Sequence, residues 1–531
     1  MSGRACVRLM LVAVVAALTV LALVPLRHSD ARPSREHPVV RTDRGLVRGV
    51  TEQGYRVFRG VPFAQPPTGE LRWRDPRPAR AWTGIREATK PGPACAQTDA
   101  VGEYLPGSSE DCLYLNVTTP AAEGRRRPVL VWLHGGAWAS GTGSEYDGRW
   151  LAGTGDAVVV TVNYRLGIFG FLGHPGLPGS GTYALADQQA ALRWVGANAR
   201  AFGGDPGNVT LIGQSAGGAS VCAHLTSPTA AGLFHRAVIH SGSCLQNWPR
   251  DTMVPGTDAI SYWASREDLQ ARGRAAAKAV GCGTGDQLRC LRAAPARKLM
   301  ELNGRFGQAA FHTRLLPVDP RKALRLGLYH RIPVLQGNTR DEHRYFGPLF
   351  ESDGAMDVAG YRSRLRRSFG AEAAARIEAV YPADRYPSVL AAWTAVVTDR
   401  SWVCPTLAAN RLIMRLSPLY SFDFADRTAP RFADLFPPGY DAGAFHGADM
   451  PYLFDFGAHA RLDPRQRQLS KTMLRYWSNF ARTGDPNGPG LPHWPQYREG
   501  RTTLSLRLEQ QARVDLTGQH HCGFWTAMIR R

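Results

Sequence analysis

The sequence predicts an α/β fold: a mostly parallel central sheet flanked by helices, with helical insertions over one edge. Three observations carry this. Pro128-Val-Leu-Val-Trp-Leu-His134 and residues 157–164 are continuous apolar runs, the pattern of strands buried on both faces. Such runs alternate with helical patterns, as in residues 183–202, which Gly203-Gly-Asp-Pro206 stops. Val209-Thr-Leu-Ile-Gly213-Gln214-Ser215-Ala216-Gly217-Gly218 then reads as a strand turning sharply into a helix. Gly213 and Gly217 leave no Cβ to clash in such a turn, and the serine at its apex stands above the sheet edge at a helix N-terminus. Ser215 is the candidate nucleophile.

Composition narrows the class. The chain has 531 residues, is 44% hydrophobic and carries a formal charge of +20. One long α/β unit accommodates that length. The arginines are scattered, and no basic block is longer than Arg125-Arg126-Arg127. Scattered charge is a solvated surface, not the basic stripe with aromatics that binds nucleic acid. At the start, Arg4 and Arg8 precede an apolar run over 9–26, and Ser29-Asp30-Ala31 offers a cleavage site. Residues 1–31 are expected to be a signal peptide, with an uncleaved anchor as the second reading, and 32–531 a single exported domain. Cys6 leaves with the leader, so eight cysteines meet an oxidising compartment, an even count that suggests disulfides. No Cys/His spacing resembles a zinc site, and neither a metal nor a cofactor is expected.

Further elements follow in order. Residues 46–61 alternate around glycine as an early hairpin. The segment Phe58-Arg-Gly-Val-Pro-Phe-Ala-Gln-Pro-Pro-Thr-Gly69 cannot be regular. Strands are expected at Ala237-Val-Ile-His-Ser241, Ile332-Pro-Val-Leu-Gln336 and 419–424. Residues 271–280, 360–380 and 469–483 read as helical, the last ended by Gly484-Asp-Pro-Asn487. Between 244 and 320 the short helical patterns look like an insertion over the edge that carries Ser215.

Two further stretches, Phe58-Arg-Gly-Val-Pro-Phe-Ala64 and Glu110-Asp-Cys-Leu-Tyr-Leu-Asn116, resemble signatures of the type-B carboxylesterases, the cholinesterase-like branch of the α/β-hydrolases. The resemblance runs from about Gly45 to Trp525. It implies an α/β-hydrolase fold and a serine esterase. A serine hydroxyl needs a base within reach and a third group to hold that base. This fold supplies them in the order Ser, acid, His. The resemblance places the acid at Glu342 and the base at His446; Asp341 and His343 are rivals by sequence, read as a turn residue and a neighbour facing elsewhere. Asp449, three residues past His446, reads as a cap. For the oxyanion hole, one N–H belongs to the residue after the serine, Ala216, and the family places others on Gly136 and Ala137. Ser241 matches a family serine beside the acid, and Trp248 a family position in the acyl pocket. Gln214 stands where cholinesterase-like relatives have glutamate, so choline esters are not the expected substrate.

The resemblance also implies disulfides Cys95–Cys112, Cys282–Cys290 and Cys404–Cys522. Cys222 and Cys244 are then expected as buried thiols, a fourth bridge being conceivable. Lipases of this family use the loop between the first two cysteines as an apolar lid. Here residues 96–111 hold Asp99, Glu103, Glu110 and Asp111 against only Val101, Tyr104 and Leu105. Burying those carboxylates against lipid is costly. The expectation is therefore a secreted esterase acting on small esters of short or medium acyl chain. A lipase and a catalytically dead adhesion protein of the same fold are the alternatives.

Overall fold

The computed structural model describes residues 37–99, 102–122, 126–351, 354–431, 436–498 and 502–529. The expected leader, residues 1–31, lies outside them. Among the described residues no helix is long and apolar enough to cross a membrane.

Eleven strands make the central sheet: β1 Val50–Glu52, β2 Tyr55–Pro62, β3 Tyr114–Pro120, β4 Arg127–Leu133, β5 Val158–Val162, β6 Gly204–Gln214, β7 Arg236–His240, β8 Val334–Thr339, β9 Leu419–Phe424, β10 Thr503–Leu506 and β11 Ala512–Val514. Their order across the sheet is β11-β10-β9-β8-β7-β6-β4-β5-β3-β2-β1. The run from β5 to β10 is parallel; β11 pairs antiparallel at one end, and β3, β2 and β1 antiparallel at the other. Every residue of β4 and β5 is buried, as their apolar runs require, and β8 is buried throughout as well although it carries Gln336, Asn338 and Thr339.

Alternate residues of β4 feed two cores. Val129, Val131 and Leu133 join one, while Leu130 and Trp132 join the other. The first core takes in helices α1 Tyr183–Asn198 and α2 Ala216–Thr226; the second is closed by the long helix Pro464–Thr483. Between them in sequence lie, besides three shorter α-helices among the described residues, α3 Arg266–Ala279, α4 Val358–Phe369, α5 Ala371–Val380, α6 Val389–Val397 and α7 Cys404–Ile413; Pro464–Thr483 is α8.

Several boundaries differ from the sequence reading. The early hairpin is 50–62 only; Leu46–Arg48 joins a separate small sheet with Val39–Arg41 and Ile85–Glu87. The helical stretch 360–380 is two helices broken at Gly370 (φ +81°). Helix α8 starts five residues earlier than its apolar pattern, because Asp463 and Gln466 form a reciprocal cap around Pro464. Its end at Gly484 is left-handed, as the glycine predicts.

The described residues contain four disulfides: Cys95–Cys112, Cys222–Cys244, Cys282–Cys290 and Cys404–Cys522. Three are the expected pairs. The second corrects the expectation of two buried thiols. Cys222 lies on α2 and Cys244 just past β7, neighbours only because β6 and β7 lie side by side.

Candidate active site

Parallel strands bring their C-terminal ends to one edge, and the loops beyond them meet there. Ser215 follows β6, Gly136 and Ala137 follow β4, Ser241 follows β7, Glu342 follows β8, and His446 lies in the loop between β9 and α8.

Ser215 sits at φ 57°, ψ −123°, between the last residue of β6 and the first of α2. This backbone is strained for a residue with a Cβ. Its N–H donates to the His240 carbonyl at 2.9 Å and its carbonyl accepts from Ala219 at 2.9 Å. A Cβ on Gly213 would strike the Gly217 carbonyl, and one on Gly217 the Leu133 carbonyl. Strand and helix therefore approach too closely for any other residue, the condition the Gly-x-Ser-x-Gly pattern implied.

Glu342 is fully buried. One carboxylate oxygen, Oε1, accepts from Asn338 Nδ2 at 2.9 Å and Thr339 N at 3.0 Å; the other, Oε2, lies 2.6 Å from His446 Nδ1. Burial alone would raise its pKa. The facing imidazole and the hydrogen bonds from His446 and Asn338, with the Ser241 hydroxyl close by, outweigh burial and hold it below the ordinary carboxylate value. Ser241, at φ 52°, lies beside this carboxylate, though its Oγ makes no fully formed hydrogen bond among the described residues.

The rival Asp341 is buried and structural: it accepts from Arg427 at 2.9 and 3.0 Å and from Ala444 N at 3.0 Å, fixing the start of the His446 loop. His343 is fully buried, and burial, reinforced by the nearby His446, pushes its pKa down to about 3. Asp449 does stand at the N-cap of a short 3₁₀ turn, Met450–Tyr452, but its side chain makes no capping bond and is wholly buried against His240.

His446 is pinned through its backbone as well, its N–H donating to the Glu342 carbonyl at 3.2 Å. Its Nε2 lies 3.2 Å from the Gln214 amide nitrogen, on the residue that precedes Ser215. Gln214 thus stands directly beside His446. The Trp402 ring packs 4.5 Å from the imidazole, and Trp402 in turn packs 5.0 Å from Trp248. Trp248 meets Tyr262 at 5.2 Å, and the Tyr262 hydroxyl faces the Ser215 side chain. Burial raises the Tyr262 pKa well above the ordinary value, which keeps that hydroxyl protonated. An aromatic wall so joins Ser215 to His446. Trp402 and Tyr262 carried no sequence signal. Trp402 stands in a π-helical turn, Thr398–Val403, between α6 and α7, a local irregularity that no periodicity announces.

Gly136, Ala137 and Trp138 are all left-handed, with φ of 96°, 54° and 59°. A Cβ on Gly136 would enter the Ser140 carbonyl, so that position admits only glycine. Successive N–H groups in such a bend form an anion-binding concavity. Gly136 and Ala137 are exposed, whereas Trp138 is buried and donates from Nε1 to Ser220 Oγ at 2.9 Å. Ser220 lies on α2, whose first N–H is that of Ala216. The loop and the helix N-terminus are thereby tied together.

The described ends of the segment between Cys95 and Cys112 are held down. Glu110 forms a bidentate pair with buried Arg72 at 2.5 and 2.7 Å, and Gln97 exchanges hydrogen bonds with the Gly141 backbone at 2.8 and 3.1 Å.

The sheet order and the turn at Ser215 define an α/β-hydrolase. A family model described as the carboxylesterase family matches residues 36–525. The chain is 34% identical over 529 residues to the cocaine esterase of Oryctolagus cuniculus, covering 92% of this chain and 95% of that protein. It is 36% identical over 496 residues to the para-nitrobenzyl esterase of Bacillus subtilis, covering 89% and 95%. A solved thermophilic PNB esterase superposes with a TM-score of 0.75 at 32% identity, over 92% of this chain and all of that one. The chain belongs to the carboxylesterase family, in its type-B branch, and is a carboxylic ester hydrolase.

Proposed function

We propose that the protein is an exported serine carboxylesterase in which Ser215, His446 and Glu342 act as a triad on small esters of short or medium acyl chain. The observation that carries this is the 2.6 Å contact between His446 Nδ1 and buried Glu342, on loops that meet beside the strained turn of Ser215. A carboxylate on Nδ1 keeps the ring proton there and leaves Nε2 as the base. Nε2 takes the proton from Ser215 as Oγ attacks the ester carbonyl carbon. The carbonyl π electrons move to oxygen, and the N–H groups of Gly136, Ala137 and Ala216 receive that charge. Collapse of the intermediate breaks the C–O bond, His446 protonates the departing alkoxide, and an acyl group remains on Ser215. Water then repeats the sequence and releases the acid.

Two features favour small esters over oil droplets. The segment between Cys95 and Cys112 is acidic in sequence and is pinned at Gln97 and Glu110, which ill suits an apolar lid that must swing and dock on oil. Relatives named for cocaine, para-nitrobenzyl and medium-chain fatty acyl-CoA substrates point the same way. Four disulfides support export to an oxidising compartment. The test is labelling with a fluorophosphonate and mapping of the modified peptide. Label on Ser215, lost together with esterase activity in Ser215→Ala, is expected. Full activity in that variant would overturn the assignment, and absent labelling with absent activity would favour the non-catalytic alternative.

A further inference from the structure

A second histidine–carboxylate pair lies beneath the Ser215 turn. His240, the last residue of β7, and Asp449, three residues beyond His446, have fully buried side chains, with His240 Nδ1 2.6 Å from Asp449 Oδ2. The other ring nitrogen, Nε2, receives the indole N–H of Trp477 on α8 at 3.0 Å. An indole nitrogen only donates. Nε2 is therefore the unprotonated nitrogen, and the single ring proton sits on Nδ1, directed at Asp449. The hydrogen bonds on its two sides thus fix the orientation and tautomer of this ring.

Each member of the pair is attached to one member of the triad. The His240 carbonyl accepts the N–H of Ser215 at 2.9 Å. Asp449 shares the His446 turn, which is closed by Ala448 N–H to Phe445 O at 2.9 Å and Met450 N–H to Gly447 O at 3.0 Å. Besides the backbone contacts at Ala444 and His446, the loop carrying His446 is thus fastened by two histidine–carboxylate pairs three residues apart: through His446 to Glu342 beyond β8, and through Asp449 to His240 at the end of β7. The bonds at Ala444 and His446 lead to the segment after β8. The Asp449 fastening lies beyond His446 and leads to the neighbouring strand β7, so it fixes the far side of the turn and with it where Nε2 stands relative to Ser215.

We propose that His240 and Asp449 are positioning residues for the ester-hydrolysing reaction, setting the distance between Ser215 Oγ and His446 Nε2 without touching substrate. This rests on the triad reading above. A misplacement of about 1 Å in such a pair costs on the order of 10²-fold in rate.

The test compares kcat and KM for 4-nitrophenyl acetate, fluorophosphonate labelling rates and melting temperatures across four variants. Asp449→Asn keeps an oxygen for the His240 proton, and Asp449 Oδ1 meets no partner among the described residues that an amide nitrogen would displace. It should hold kcat within about threefold of wild type. Asp449→Ala and His240→Leu should lower kcat and the labelling rate together by about tenfold to a hundredfold, with KM within about twofold. The double variant His240→Leu/Asp449→Leu no longer strands the Asp449 carboxylate, although Trp477 Nε1 still loses its acceptor as in His240→Leu, so it should regain part of the melting temperature lost in His240→Leu while kcat stays low. Recovery of kcat together with stability would overturn the proposal, as would wild-type kcat in Asp449→Ala or an Asp449→Asn as slow as Asp449→Ala. If the double variant does not fold, the Asn and Ala variants at 449 decide. A wild type that fails to label at Ser215 would sink the triad reading, and this proposal with it.

Discussion

Glu342→Gln is the most informative single substitution, because it changes one atom and leaves the volume alone. Glu342 faces three donors: Asn338 Nδ2 and Thr339 N on Oε1, and His446 Nδ1 on Oε2. A glutamine offers one oxygen and one NH₂. Placing the oxygen on the Asn338 and Thr339 donors satisfies two groups and turns the NH₂ towards His446. The reverse orientation would set the NH₂ against two donors, so the first prevails. Nδ1 must then accept, the ring proton moves to Nε2, and Nε2 can no longer take the proton of Ser215. In Ser-His-Asp enzymes the equivalent change costs on the order of 10⁴ in kcat. Carried over, that is about 5 kcal/mol on the barrier. The assay is kcat/KM on 4-nitrophenyl acetate, with circular dichroism to show the fold is kept. The loss should be steep but incomplete, because the oxyanion donors remain. A variant within tenfold of wild type would refute the tautomer argument and leave Glu342 as packing.

Acid should destabilise the protein ahead of its carboxylates. Burial pushes His134 down to about 4 and His224 and His343 down to about 3, from 6.5. The unfolded chain therefore takes up these protons first. Their contribution is complete above 6.5 and lost as pH falls towards those values, about 2 kcal/mol each by pH 5. His520 opposes this: burial lowers its pKa, but Asp399 outweighs that and raises it, so its share is lost as pH rises instead. His235 is lowered by burial too, while the raised carboxyls of Asp187 and Glu145 side with His520; a melting temperature at pH 5 equal to that at pH 7.5 would contradict the dominance of the lowered histidines. Removing Cys222–Cys244, which spans 22 residues, should cost about 3 kcal/mol of stability on the chain-entropy model; peptide mapping without reductant should find all four pairs, and a free Cys222 counts against them. Rate against tributyrin concentration should saturate smoothly through the solubility limit, and a jump as droplets form would make the enzyme a lipase while leaving its triad in place.

The sequence by itself determined whatever one segment decides alone. Glycines at 213 and 217 dictated the turn at Ser215, because only glycine tolerates that approach of strand and helix. Unbroken apolar runs marked β4 and β5, since a strand covered on both faces has no polar side to show. Gly484 marked the end of α8. Signature stretches added Glu342, His446 and three of the disulfides by resemblance. The tertiary structure alone decided who faces whom. Glu342 and His446 stand 104 residues apart, His240 and Asp449 209, and Gln214 and His446 232. These contacts follow from β6, β7, β8 and β9 lying side by side with their C-terminal ends at one edge. The same adjacency bridged Cys222 to Cys244, took the Asp449 side chain from a supposed cap to a buried partner of His240, and set Trp402 against His446. Periodicity records which way a side chain points from its own strand or helix. It carries nothing about which neighbour the sheet order will put opposite.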